Sequence, residues 1–199
     1  MTASWQDTRE QFRHGDLPAA LITAALARFE ADGAEAISLR DLARDVGVNH
    51  RAVYRHFPDK LSLMARVAQE GWLLLGRQIE HGIKGRKSGE ETLVAGGVAL
   101  FTFARAHPNL FQLMGGAQFS ANHGFADLDK VIAQTLAILR QGFRDAGTDE
   151  KVTQVRTLIY VSALQGIVSQ ILVKRFRLKP ASAEREIADV CRMLVKGLK

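Results

Sequence analysis

Only one cysteine, Cys191, stands among the 199 residues. An intramolecular disulfide framework is therefore excluded, and a reducing cytoplasm is the natural setting. With 4 prolines and 17 glycines, the chain is neither collagen-like nor linker-rich. It contains no Gly-x-Ser-x-Gly elbow, no glycine loop ahead of a Lys-Ser/Thr pair and no His-Glu-x-x-His stretch, so three common enzyme signatures are missing. No segment alternates apolar and polar residues as a half-buried strand would. The polar opening MTASWQDTREQFRHGD lacks the apolar centre of a signal peptide. One apolar stretch, Thr157 to Val173, has no charge between Arg156 and Lys174. It is short for a membrane span and includes Tyr160, Ser162, Gln165, Ser169 and Gln170. We read it as a helix buried in a core or between subunits, and expect no membrane partner.

Basic residues outnumber acidic ones by 27 to 21, giving a net charge of +6 and a pI near 9.8. That balance invites a nucleic-acid partner, but its distribution does not locate one. Residues 1–60 hold 8 Lys/Arg against 9 Asp/Glu, whereas residues 174–199 hold 8 against 3. The case must rest on where individual side chains fall.

Helical periodicity runs nearly throughout, so the expected fold class is all-α. In LPAALITAALARFEADG (17–33), Leu17, Leu21, Ile22, Ala25 and Phe29 make one stripe, and Gly33 is the stop. Ser38-x-x-Asp41 has capping-box spacing at the head of a second helix that closes on Gly47. Asn49 is an N-cap for a short third helix to about His56, and Pro58 suits the first turn of a fourth. Ser88-x-x-Glu91 opens a fifth, which His107-Pro108 interrupts before NLFQLM. A glycine-rich loop spans 115–124, and further helices fit 125–145, 149–175 and 181–197.

Residues 38–57 combine the elements of a helix-turn-helix. Leu39, Leu42 and Val46 face inward, Ala43 permits a close helix crossing, Gly47 turns the chain, and Val48 and Val53 anchor the return. At about 100° per residue, Ala52, Val53 and His56 of the third helix share the inner side. His50, Arg51, Tyr54 and Arg55 share the outer side, with no acid among them. Arginine there can bond guanine bidentately in a major groove. Tyr54 and Lys60, the latter at the start of the next helix, suit phosphates. His50 and His56 lie six residues apart on different faces, which speaks against a metal pair; no metal or cofactor is expected. The arm carrying Arg9, Arg13 and His14 is a further DNA candidate, set against the usual disorder of termini.

Residues 17–63, through SLRDLARDVGV and AVYRHFPDKLSL with Tyr54, Phe57 and Lys60, resemble the N-terminal domain of the TetR family of transcriptional regulators. The resemblance implies an all-α homodimer with an N-terminal DNA-binding domain (1–60, including an arm, 1–16) and a ligand-binding and dimerisation domain (61–199). It implies a double-stranded DNA operator and a small-molecule effector, in a cytoplasmic repressor that is not an enzyme. Asn49, His50 and Arg51 would meet bases; Ser38, Tyr54, His56 and Lys60 would meet phosphates, with Arg55 beside them. The family often has a small residue where this chain has Arg51. HPNLFQLM (107–114) resembles a segment of one branch of the family's C-terminal domains, often marked by Trp-His-Gly. Here the corresponding stretch, Ser162 to Gly166, keeps only the glycine.

Trp72, Phe101, Phe111, Met114, Phe125 and Gln165 lie on helices that enclose the family's cavity and are its expected lining. The scarcity of charge there favours an apolar or aromatic ligand. Gly96-Gly97 inside a helix implies either a close crossing or cavity space. The last two helices are the expected dimer interface, through Val155, Leu158, Ile159, Ser162, Gly166 and Ser169, then Ile187, Val190, Leu194 and Val195. Cys191 reads as a buried small hydrophobe. An enzyme using His107 and His123, or an all-helical interaction module whose helix-turn-helix merely packs, are the competing classes. Catalytic turnover without DNA affinity would mark the first, and absence of salt-sensitive DNA binding the second.

Overall fold

The computed structural model describes residues 17–33, 37–119 and 124–198. The arm with Arg9, Arg13 and His14, and the residue His123, lie outside these ranges. The described residues form helices without strands. Helix α1 is Leu17–Asp32, α2 Leu39–Val46, α3 His50–His56 and α4 Lys60–Ile83. Helix α5 is Gly89–Ala106, α6 Pro108–Met114, α7 Ala126–Asp145, α8 Glu150–Leu172 and α9 Ala183–Gly197.

The first three helices close around Leu21, Ala25, Phe29, Leu42, Ala43, Val53 and Phe57, all buried. Ser38 Oγ accepts the Asp41 N–H at 3.4 Å, which starts α2. The Asp41 carboxylate turns to Arg44 at 2.8 Å rather than completing a capping box. Gly47 sits at φ +75, and the Val48 N–H reaches back to Ala43 O at 2.9 Å. This left-handed position is open to glycine at little cost, and it swings α3 across α2. Arg28 Nε meets Asp45 Oδ2 at 2.6 Å, tying α1 to α2.

Two expectations need correcting at the end of α3. His56 is exposed rather than inward, because the helix stops there and buried Phe57 takes the next inward slot, its N–H bonded to Val53 O at 2.9 Å. Pro58 precedes α4 instead of opening it. Asp59 is the N-cap, and a reciprocal capping box joins it to Ser62: Asp59 Oδ1 accepts the Ser62 N–H at 2.7 Å, and Ser62 Oγ accepts the Asp59 N–H at 3.4 Å.

Helix α4 has 24 residues, so it spans about 36 Å at 1.5 Å per residue. Its first half buries Leu63, Met64 and Val67, and its second half buries Leu75 and Ile79. One rigid element thus belongs to both the helix-turn-helix and the larger bundle.

Helix α5 is the centre of that bundle and packs against α4, α6, α7, α8 and α9. The Gly96-Gly97 pair marks close crossings rather than open space. A Cβ at Gly96 would come 2.7 Å from Leu139 Cδ2, and one at Gly97 would come 2.7 Å from Tyr160 Oη and 3.0 Å from Leu164 Cδ1. Tyr160 is fully buried, its hydroxyl donating to Leu93 O at 2.6 Å and its ring edge-on to Phe143 at 5.7 Å. Burial pushes its hydroxyl far above the ordinary tyrosine pKa, and pushes the neighbouring Cys191 thiol up as well.

Candidate DNA-reading face and enclosed cavity

The structure presents the outer face of α3 as periodicity predicts. His50, Arg51 and Arg55 are exposed, and Tyr54 is 49% exposed, a large share for a tyrosine on an otherwise well-packed unit. Lys60 is exposed at the first turn of α4. Asn49 caps α3 through its side-chain oxygen, which accepts the Arg51 N–H at 2.9 Å. Its amide N–H groups are the part left for a base. Ser38 likewise uses its oxygen as a cap and keeps its hydroxyl proton for an external acceptor. His56, now outward, lies at the same end of the helix as Arg55.

Four of the six expected cavity residues converge. Trp72, Phe111, Met114 and Gln165 line a small enclosed cavity of about 20 Å³ with Leu75, Ile79, Leu100, Thr135, Leu136, Leu139 and Val161. That is room for about one water, and no ionisable side chain is in the lining. Phe101 and Phe125 do not take part. Phe101 is 1% exposed in the core, with the Arg105 guanidinium 5.5 Å above its ring. Phe125 precedes α7 and stacks edge-on to Phe119 at 6.1 Å. Both lie on the right elements but point elsewhere, which aromatic composition alone does not reveal. Thr135, which bonds Val131 O at 3.0 Å, was missed because a threonine in mid-helix carries no distinctive signal.

On the side of α5 facing α4 and α9 lies a much larger groove, of about 800 Å³. It opens broadly to solvent, and its rim includes His81, Arg86, Glu91 and Arg192. The smaller cavity is lined mainly by apolar side chains, with Thr135 and Gln165 as polar neighbours.

A contact between the two units escaped sequence reasoning. Asn109 Nδ2 donates to both Phe29 O and Glu30 O at 3.2 Å each, satisfying carbonyls at the end of α1. Beside it, His107 Nδ1 lies 3.2 Å from Glu30 Oε1, and the His107 ring tilts against Phe103 at 5.1 Å. Burial lifts the Glu30 carboxyl above its ordinary range, against the lowering effect of His107. Helix α6 therefore grips α1 at one end and lines the cavity with Phe111 and Met114 at the other. It also presses on α4: a Cβ at Gly71 would lie 2.7 Å from Met114 Sδ and 2.9 Å from Leu110 Cγ. The only sequence sign was His107-Pro108-Asn109, legible as a helix break and start.

The outward side of α8 is apolar and uncovered. Val155, Leu158 and Ile159 are 54%, 66% and 45% exposed, with exposed Ser162 and Gly166 and half-buried Ser169 continuing the stripe. On α9 the expectation needs correcting at two positions: Ile187 and Val195 are each 1% exposed and pack inside the protomer, on the same stripe as Ala183 and Cys191. Val190 and Leu194 are half-buried, and the sequence reading passed over the outward Met193, 65% exposed. By length and composition alone α8 is long and apolar enough to span a membrane, and 22% of its most apolar window is buried within this chain.

This arrangement, a helix-turn-helix with an exposed basic face joined through α4 to a helical bundle, is that of a DNA-binding regulator. Residues 21–67 match the model of bacterial regulatory proteins of the tetR family, and residues 93–194 match the tetracycline repressor-like C-terminal domain. The chain belongs to the TetR family of transcriptional regulators.

No curated protein matches the sequence. Solved structures share the fold. A protein with unknown function from Rhodococcus sp. RHA1 superposes with a TM-score of 0.79 at 22% identity, covering 94% of this chain and 97% of that one. BioQ in complex with its natural double-stranded DNA operator gives 0.67 at 20% identity, covering 94% and 98%. A glutamine-to-alanine variant of TetR from Acinetobacter baumannii AYE, in complex with minocycline, gives 0.67 at 14% identity, covering 90% and 94%.

Proposed function

We propose that the protein is a cytoplasmic repressor that binds a palindromic operator as a homodimer and releases it when a small apolar or aromatic effector enters the enclosed cavity. The observation that carries this is the outer face of α3, where His50, Arg51, Tyr54 and Arg55 stand exposed beside Lys60, with no acid among them. Arg51 and His50 read base edges, assisted by the Asn49 amide, while Ser38, Tyr54, His56 and Lys60 hold phosphates. BioQ, which shares the fold, was solved on its DNA operator.

A second copy covers the apolar stripe of α8, together with Val190, Met193 and Leu194 of α9. Across a two-fold axis these helices make a four-helix bundle. The pairing sets the two α3 helices about one DNA turn apart, roughly 34–36 Å. It also gives the exposed apolar side of α8 a partner other than lipid.

The effector acts by shifting populations. A cavity of about 20 Å³ must open to admit a molecule, and the surfaces that give way include Phe111 and Met114 of α6 and Trp72 of α4. Helix α4 runs on into the reading unit, and α6 holds α1 through Asn109. Displacement of either changes the spacing of the two reading heads. A minocycline complex exists for a TetR protein of the same fold, which supports a small-molecule effector for this one.

The test is capture and sequencing of genomic DNA fragments on the full-length protein, followed by gel shift of the enriched sequence at several salt concentrations. A palindromic site should emerge. Its affinity should drop about 10³–10⁵-fold between 50 and 200 mM salt if about six to ten phosphates are neutralised. Absence of any enriched sequence would remove the proposal.

A further inference from the structure

The lining of the enclosed cavity is chemically lopsided. Its aliphatic walls include Leu75, Ile79 and Leu139, and no charged side chain faces in. Among the described residues, the indole Nε1 of Trp72 is buried with no hydrogen-bond partner. An N–H in that position is a donor only, and leaving it unmet in an apolar setting carries a substantial desolvation penalty. The Thr135 hydroxyl does not answer it; that group turns to the backbone, toward Val131 O at 3.0 Å and Trp72 O at 3.4 Å. Gln165 supplies the other amide in the lining. Its Nε2 packs over Gly115, 2.7 Å from where a Cβ would sit, so its head lies at the C-terminal end of α6.

From this we infer that the effector is an uncharged molecule, mostly hydrocarbon or aromatic, that carries a carbonyl or ether-type acceptor for Trp72. The inference rests on the reading of this cavity as the effector site. A pure hydrocarbon would leave Trp72 Nε1 unmet. A carboxylate or phosphate would enter a site with no cation to balance it, at a high desolvation cost. A neutral acceptor satisfies the indole without importing charge. Its placement also suggests how entry is sensed: Trp72 is on α4, the helix that runs on into the reading unit, so an acceptor bound to its indole engages that helix directly.

Three probes of similar size separate these cases: cumene, acetophenone and benzoate, an aryl ring bearing isopropyl, acetyl or carboxylate. Each is titrated into the full-length protein while the indole ¹H–¹⁵N resonances are followed, with Trp5→Phe distinguishing the two tryptophans. Acetophenone should saturate with a downfield movement of the Trp72 indole proton and bind at least about tenfold more tightly than benzoate. In Trp72→Phe its advantage over cumene should disappear. Benzoate binding as tightly as acetophenone, or acetophenone saturating without moving the Trp72 resonance, would overturn the inference while leaving the cavity reading intact. Failure of all three to bind up to their solubility would instead overturn the cavity reading, and the inference with it.

Discussion

Replacing Asn109 by alanine and, separately, by aspartate probes the grip of α6 on α1. The Asn109 amide donates to two carbonyls at 3.2 Å. Phe29 O retains a second partner, the Gly33 N–H at 2.8 Å, so the alanine variant falls mainly on Glu30 O. A net hydrogen bond is worth about 0.5–1.5 kcal/mol, and an orphaned buried acceptor about 1–3. For this partly buried pair we expect a loss of about 1–2 kcal/mol. At roughly 2–4 °C per kcal/mol for a chain of this size, the melting temperature should fall by about 2–8 °C.

The aspartate variant should be worse at pH 7. A carboxylate has no proton to donate, and it would face two carbonyl oxygens at the negative end of α1. Those neighbours raise the introduced group's folded-state pKa above its unfolded value of about 3.9. Below the raised value the folded state binds the extra proton, so the penalty should shrink as pH falls through that window. Thermal melts of both variants at pH 7 and pH 5, each compared with wild type at the same pH, give the readout. An aspartate variant as stable as the alanine one at pH 7, or a gap between them that does not narrow at pH 5, would refute the latch.

Three further outcomes follow from the packing. Gly97→Ala brings a Cβ within 2.7 Å of Tyr160 Oη, itself fixed on Leu93 O. Overpacking of about 1–3 kcal/mol should exceed the gain of about 1 kcal/mol in helix propensity, so chemical denaturation should show a net loss; a stabilised variant would contradict the close crossing. Cys191 is buried, with its thiol pKa raised, so little thiolate exists at pH 8. A thiol reagent should label it only on unfolding, and labelling at the rate of a free thiol would contradict its placement. Leu158→Glu puts a charge on the exposed α8 stripe, and sedimentation should report a dimer for wild type and a monomer for the variant; a dimer in both would move the interface elsewhere.

The helix-turn-helix was legible because its geometry is local. Ala43, Gly47 and Val53 sit at fixed offsets, each required by a contact within about fifteen residues, and periodicity alone puts Arg51 and Tyr54 outward. His56 was placed inward because the periodicity was followed to the last residue of α3, whereas Phe57, just beyond the helix end, takes the core slot. In the bundle, element type was legible but direction was not. Trp72, Phe111, Met114 and Gln165 converge while Phe101 and Phe125 turn away, and that choice depends on how α4, α5, α6 and α7 cross. Gly96 and Gly97 announced either a crossing or a void, and only Leu139 and Tyr160 at contact distance decide for the crossing. The Asn109 latch joins residues about eighty positions apart, and no pattern in HPN announces its target.

The central claim is that the outer face of α3 reads DNA, and one comparison tests it most directly. Arg51→Ala combined with Tyr54→Phe should be measured by gel shift against wild type, on the enriched fragment and on an unrelated fragment of equal length. Loss of a bidentate base contact costs about 1–3 kcal/mol, so affinity for the enriched fragment should fall by about 5–150-fold or more. The lost phosphate contact of Tyr54 should weaken both fragments alike, whereas loss of the Arg51 base contact should weaken only the enriched one, so the preference between them should shrink. Specific binding that survives unchanged in the folded double variant would contradict the assignment.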